Sequence, residues 1–403
     1  MCKILYISYD GLTDPLGQSQ ILSYLSKIAI NEISIDILSY DKKEVYTKNK
    51  LFVESKLKNS NINWHPLRYS KSPPIFSSIW DIFKGWREIK KLNKINNYQV
   101  VHCRGYIPGI LGLKFKTKFN VKLIFDMRGW WCDEKLESGN WNNFIFKPIY
   151  KYFKKKEQQL FKLADKTISL TFSGKVEILK NKWTTEKKIG VIPTCVDFKN
   201  FPEWKQLIRE KTRKNLNLSK DKFILTYSGS LGGNYDFNDF SIVFHEFLKR
   251  SSKNHILILS KTPLNYLESK INEHNLDMDR ITIISSSFKD VHKYLQASDI
   301  GLILYNRSFS VIGRSPTKLG EYWCSGIPAL SLKNIGDLNS IYSKYPKGGV
   351  LINNINSDEI EIAFNQLEKK IDKTLLRSYS KDYFHINKGV KFYSDIYKEL
   401  TTK

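Results

Sequence analysis

Short apolar runs alternate with longer segments of helical spacing almost from one end of the chain to the other. In the first half the runs at 3–8, 34–39, 99–103, 121–125, 166–170 and 190–193 predict strands. Segments 21–28, 79–92 and 144–163 repeat their apolar positions at a spacing near 3.6 and predict helices between those strands. After Asp197 the pattern loosens into a charged, proline-bearing stretch, Phe201-Pro202-Glu203-Trp204. It restarts at 223–228, 255–259, 281–285, 300–305, 329–332 and 350–352, and closes with a helical segment at 381–400. Runs rich in Val, Ile and Leu, separated by helices, imply parallel sheets covered on both faces. The expected fold class is therefore α/β, with two tandem doubly wound domains at 1–200 and 201–378 and a final helix within 379–403.

No run approaches the roughly 18 consecutive apolar residues of a membrane span. The start, Met1-Cys2-Lys3 running into Ile4-Leu5-Tyr6-Ile7, predicts a strand instead of a leader. Five scattered cysteines (Cys2, Cys103, Cys132, Cys195, Cys324), never spaced C-x-x-C, argue against a disulfide framework or structural zinc and for a cytoplasmic protein.

Charge adds a partner. The chain carries a net +25, and an excess of that size attracts anions. Residues 1–200 hold 35 Lys and Arg against 18 Asp and Glu, so most of the excess lies in the first domain. A second local feature is Lys147-Pro148-Ile149-Tyr150-Lys151-Tyr152-Phe153-Lys154-Lys155-Lys156, which mixes cations with aromatics. Solvated helix faces, an anionic membrane surface and nucleic acid all fit these numbers.

Ligands of open parallel sheets bind beyond the carboxyl ends of the strands, which directs attention to the residues there. Strand 3–8 runs into a glycine-bearing loop, Tyr9-Asp10-Gly11-Leu12-Thr13-Asp14-Pro15-Leu16-Gly17-Gln18-Ser19-Gln20, that opens a helix and could hold an anion. Strand 121–125 ends in Asp126-Met127-Arg128-Gly129-Trp130-Trp131-Cys132-Asp133-Glu134. Aromatic faces beside carboxylates suit a sugar, and a surface salt bridge with a hydrophobic staple is the competing reading. His102-Cys103-Arg104-Gly105-Tyr106 ends the preceding strand, with His102 an acid/base candidate or a structural histidine. In the second domain Ser228-Gly229-Ser230-Leu231-Gly232-Gly233-Asn234-Tyr235 offers glycines that let backbone approach a diphosphate, or simply a turn. The most informative segment is Gly313-Arg314-Ser315-Pro316-Thr317-Lys318-Leu319-Gly320-Glu321. Ser315 is expected to cap a helix with Pro316 as its first residue. A lysine in a first turn opposes the helix dipole, so an anion near Lys318 would explain it, and Glu321 can accept two hydroxyl hydrogen bonds, as a ribose offers.

These segments, with Ile192-Pro193-Thr194-Cys195-Val196-Asp197 and Ser325-Gly326-Ile327-Pro328, resemble in order the retaining GT-B glycosyltransferases of family 4, of the bacterial surface-polysaccharide type. The resemblance implies two Rossmann-like domains facing across a cleft, with the final helix crossing back to the first. It implies an acceptor site in the first domain (His102, Arg104, Tyr106, Trp130, Asp133) and a nucleotide-sugar site served by Gly17, Ser228, Gly229, Arg314, Ser315, Lys318 and Glu321. Asp126, Arg128 and Lys318 become the catalytic candidates. Relatives often carry a Glu-x7-Glu pair, an Arg and a Lys after the first strand of the second domain, and a histidine at the fifth strand. Here those places hold Gly313, Ser230, Tyr235 and Arg128.

The activity expected is transfer of a hexose-type sugar, with retention, from a nucleotide diphosphate donor to a growing surface glycan or lipid-linked acceptor at the inner face of an anionic membrane. The donor is a substrate, so no cofactor is expected, nor a metal, nor nucleic acid as a partner. A nucleotide-sugar epimerase on the same fold, or a non-enzymatic anion binder, is the alternative.

Overall fold

Strands form where the Val/Ile/Leu runs lie. The computed structural model describes residues 2–29, 33–73, 75–232 and 235–402, so Gly233 and Asn234 of the glycine-bearing loop lie outside the described residues. The first sheet comprises β1 (Cys2–Ser8), β2 (Ile33–Asp41), β3 (Ile62–Arg68), β4 (Val100–Arg104), β5 (Lys122–Asp126), β6 (Lys166–Ser169) and β7 (Ile189–Val191). Its order is β3-β2-β1-β4-β5-β6-β7, every pair parallel. The second comprises β8 (Phe223–Ser228), β9 (Asn254–Leu259), β10 (Ile281–Ile284), β11 (Ile300–Ile303), β12 (Ala329–Leu332) and β13 (Gly349–Ile352), in the parallel order β10-β9-β8-β11-β12-β13. Strand order reverses direction at β1/β4 and at β8/β11. Such switch points leave a crevice at the carboxyl ends of the strands.

One strand has no counterpart in the sequence pattern. β3 reads Ile-Asn-Trp-His-Pro-Leu-Arg, and its proline is tolerated because the strand lies at the edge of the sheet.

Two compact units result: Met1–Leu136 with Asn140–Cys195 and Ile386–Lys403, and Glu137–Gly139 with Val196–His385. Each has its own core. The first is built on Ile4, Ile35, Ile37, Val100 and Ile124, the second on Ile224, Leu225, Ile256, Leu302 and Leu330.

Three helices differ from the pattern. The helix after β1 begins at Pro15 and passes through a wide turn, Gln18–Leu22, before Ser23–Ile28. The last segment is two helices, Lys373–Phe384 and Ile386–Thr401, because His385 is extended between them. The second of these buries Ile386, Tyr393, Ile396 and Tyr397 within the first unit. The helix expected to start at Pro316 starts at Thr317. Pro316 sits one place earlier with ψ 106°, so no side chain caps the helix. It ends as expected at Gly326, whose φ of 77° is in the left-handed region.

Candidate functional site

The carboxyl ends of β1, β4 and β5 converge on a cavity of about 740 Å³ inside the first unit. Tyr9, Asp10, Arg104, Tyr106 and Arg128 supply its polar part, and Ile79 and Ile82 of the helix Phe76–Asn96 one apolar wall. Trp131, Trp141, Ile149, Tyr152 and Phe153 supply another. Arg104 donates from Nε to Asp10 at 3.4 Å.

Below that polar part lies Asp126, fully buried at the end of β5. It accepts from the Tyr393 hydroxyl at 2.9 Å, and Arg128 Nη1, His102 Nε2 and Arg104 Nη1 stand 3.7, 3.7 and 3.9 Å away. Burial works against its charge, but Arg128, His102 and Arg104 outweigh burial and hold its carboxyl at about 2. His102 is pushed below its ordinary range by burial, with Asp126 opposing. Its Nδ1 shares a hydrogen bond of 2.6 Å with the Tyr397 hydroxyl.

Arg128 has φ 59°, a conformation that costs a non-glycine residue about 1–2 kcal/mol. Glycine follows it, and the Tyr106 hydroxyl donates to the Gly129 carbonyl at 3.2 Å, fixing the turn that aims the guanidinium. The same Tyr106 proton is shared with Glu157, the closer acceptor. Lys154 bridges Glu157 to Asp133 and lies over the Trp130 ring at 5.3 Å. Burial raises the Glu157 carboxyl, with Lys154 opposing.

The structure thus sorts the acceptor candidates. Arg104 and Tyr106 line the cavity, as does the catalytic candidate Arg128. His102 and Asp126 are fully buried behind it. Trp130 is core, packed on Phe161 and Trp183, so the tryptophan pair is split and Trp131 alone faces the cavity. Asp133 is turned inward, held by Tyr150 and Lys154. Asp10, Glu134, Trp131 and Trp141 are cavity residues that sequence reasoning did not single out. Asp10, Trp131 and Glu134 stood within strand-end segments already noted. Nothing in the sequence marked Trp141.

In the second unit the donor candidates gather at the carboxyl end of β8 and the helix Thr317–Cys324. The Lys318 ammonium is buried and makes no hydrogen bond among the described residues. It lies 4.0 Å from the Tyr227 ring centre, 4.7 Å from that of Tyr235 and 5.7 Å from that of Tyr305. Gly229, with φ 148°, is what lets it approach, since a Cβ there would stand 2.9 Å from Nζ. Burial pushes Lys318 down to about 7, with Glu321 opposing and Arg314 adding to the fall. Glu321, one turn on, is pushed up to about 7 by burial, with Lys318 opposing. An anion placed here would restore the lysine charge, and the carboxylate is left to accept hydroxyl protons. Arg314 lies over the Tyr305 ring at 5.1 Å, Ser315 stands beside it in sequence ahead of the helix, and Ser228 donates its N–H to the Tyr322 hydroxyl at 3.1 Å. At the places where the family resemblance expected charge, Tyr235 puts its ring against Lys318, Gly313 is buried in the turn Phe309–Gly313, and Ser230 is exposed.

Gly17 belongs to the first unit. A Cβ on it would meet the Gly11 carbonyl oxygen at 1.9 Å, so packing alone requires glycine there. One Asp-x-Asp triplet occurs in the sequence, Asp277-Met278-Asp279. In it Asp277 accepts from the Asp279 N–H at 3.1 Å and caps a short turn before β10. Among the described residues no group of three or more His, Cys, Asp or Glu is placed to hold a metal, and no helix is long and apolar enough to cross a membrane.

Residues 45–200 match the sequence profile described as Glycosyltransferase Family 4. No curated protein matches. Among solved structures, the chain is similar to a sucrose-phosphate synthase from Thermosynechococcus elongatus, with a TM-score of 0.75 at 14% identity over 99% of both chains. It is similar to a glycosyltransferase from Rickettsia africae, with a TM-score of 0.66 at 18% identity over 100% of this chain and 99% of that one. It is similar to HepE of Anabaena in complex with UDP and glucose, with a TM-score of 0.70 at 12% identity over 98% and 99%. The two parallel sheets and these likenesses give the fold as GT-B.

Proposed function

We propose that this chain, of GT-B fold and with residues 45–200 matching the family 4 profile, is a glycosyltransferase that moves a hexose-type sugar from a nucleotide diphosphate donor to a glycan or lipid-linked acceptor with retention of configuration. The observation that carries the reading is the buried Lys318 ammonium beside Gly229, packed on tyrosine rings and without a hydrogen bond among the described residues. A diphosphate is the group that would use it. Lys318 and Arg314 neutralise the departing diphosphate, the backbone at Ser228 and Gly229 approaches it, and Ser315 borders it. Glu321 accepts from the ribose hydroxyls. HepE was solved with UDP and with UDP-glucose, which makes a UDP-sugar the first donor to assay.

The cavity of the first unit takes the acceptor, with Arg104, Arg128 and Tyr106 on its polar groups and Trp131 on a sugar face. Asp126 and His102 act through Arg128 and Arg104, holding the guanidinium groups in place without touching the acceptor. Retention then requires little more of the protein than positioning, with the leaving phosphate taking the acceptor proton on the same face, and no metal is invoked. The excess of cations in the first unit draws it to an anionic membrane, at the inner face of which a lipid-linked acceptor would be met.

Slow donor hydrolysis across a panel of nucleotide-sugars, with thermal shifts, tests this. One donor class should be hydrolysed and stabilise the fold, and Lys318→Ala should lose roughly a hundredfold in turnover while keeping its melting temperature. Turnover by no donor, or full activity of the variant, overturns the reading.

A further inference from the structure

The mouth of the first unit's cavity carries an apolar stripe that nothing described so far uses. On the helix Phe76–Asn96, Phe76, Ile79, Trp80 and Phe83 are 70, 58, 55 and 49% exposed. Their spacing of three and four residues puts them on one face, and Trp80 and Phe83 stack at 5.5 Å. The opposite face of the same helix, with Ser77, Asp81, Gly85 and Trp86, is buried. Close by the other wall of the cavity, Phe144 and Ile145 are 81 and 59% exposed. Ile79 and Tyr152 belong to both surfaces, lining the cavity and facing solvent, so stripe and cavity are continuous.

Cations dominate the exposed helix beside this rim, while Asp10 and Glu134 line the cavity itself. Lys147, Lys151 and Lys155 stand four residues apart on the helix Lys147–Leu163, all exposed and none in an ion pair among the described residues. Residues 141–156 contain five lysines and no carboxylate, and residues 71–80 contain no carboxylate either. A second copy of this chain would bring the same cations against them. A surface that is apolar within and negative at its head groups fits both parts.

We infer that the cavity mouth is a docking face for an anionic phospholipid bilayer. Phe76, Trp80, Phe83 and Phe144 enter the head-group region, and Lys147, Lys151 and Lys155 lie against the phosphates. A lipid-borne acceptor then enters sideways from the bilayer, its anionic group reaching Arg104 and Arg128 while its apolar part stays on the Ile79 and Ile82 wall. The route of entry rests on the transferase reading above; the docking face does not.

Vesicle flotation tests it on the full chain. The protein should float with phosphatidylcholine–phosphatidylglycerol vesicles and far less with phosphatidylcholine alone. Trp80→Ser with Phe83→Ser should weaken partitioning about tenfold or more, and Lys147→Ser with Lys151→Ser and Lys155→Ser should do the same and flatten the salt dependence. Donor hydrolysis should be unchanged in both variants, since none of these five residues lines the cavity. Wild-type protein that stays in solution, variants that float equally well, or a dimer in sedimentation that Trp80→Ser dissociates would each overturn the docking face. Vesicle binding that follows these variants, in a protein that hydrolyses no donor, would keep the docking face and remove the transferase reading.

Discussion

Replacing Asp126 by Asn keeps the shape and an acceptor for the Tyr393 hydroxyl but removes the negative charge beneath two arginines. Holding the carboxyl at about 2 in place of its ordinary 3.8 means that its ionised form contributes on the order of 2 kcal/mol to the folded state. The folded value lies below the unfolded one, so this contribution is complete above pH 3.8 and is lost as the pH falls through 2. Urea unfolding followed by tryptophan fluorescence measures it. Seven of the nine tryptophans (Trp64, Trp80, Trp86, Trp130, Trp131, Trp141 and Trp183) lie in the first unit, so the signal reports mainly on that unit. Asp126→Asn should be less stable than wild type by roughly 2 kcal/mol from pH 8 to pH 5, with the gap narrowing as the pH drops from 4 toward 2. A gap below about 1 kcal/mol at pH 7, or one of the same size at low pH, would refute the electrostatic account of the Asp126 cluster.

Further outcomes follow from the same geometry. Because burial holds Lys318 at about 7 and an anion restores its charge, diphosphate binding above pH 7 takes up a proton. UDP affinity should then fall by up to about tenfold per pH unit above 7, read by calorimetry in buffers of different ionisation heat. Glu321→Gln should weaken binding of UDP more than that of pyrophosphate, by about tenfold, because only the nucleotide presents ribose hydroxyls. Trp131→Ala should raise the acceptor KM without changing donor hydrolysis, as steady-state kinetics with each substrate varied in turn will show. Gly17→Ala should cost about 3 kcal/mol in the urea titration, since its methyl would overlap the Gly11 carbonyl.

The alternation of apolar runs and helical segments was enough to call two parallel α/β sheets, because a strand buried on both faces must be apolar throughout, and that requirement is local. Thr317–Gly326 was likewise nearly complete in the sequence: a proline, a lysine and a glutamate one turn apart, then a left-handed glycine, define a helix and the two charges it presents. The edge strand Ile62–Arg68 was not legible, since an edge strand carries a proline and polar residues that a central one cannot. Nor was the break at His385, where no glycine or proline announces it. Which of two adjacent tryptophans faces the cavity, and that His102 and Asp133 turn inward while Asp10, Glu134 and Trp141 turn outward, depended on partners far away in sequence: Tyr397, Lys154 and Trp183. Sequence determined which chemical groups stand at the strand ends. Only packing, by spending some of them on buried charge pairs and leaving Lys318, Arg104 and Arg128 at the sites, decided which remain available to a ligand.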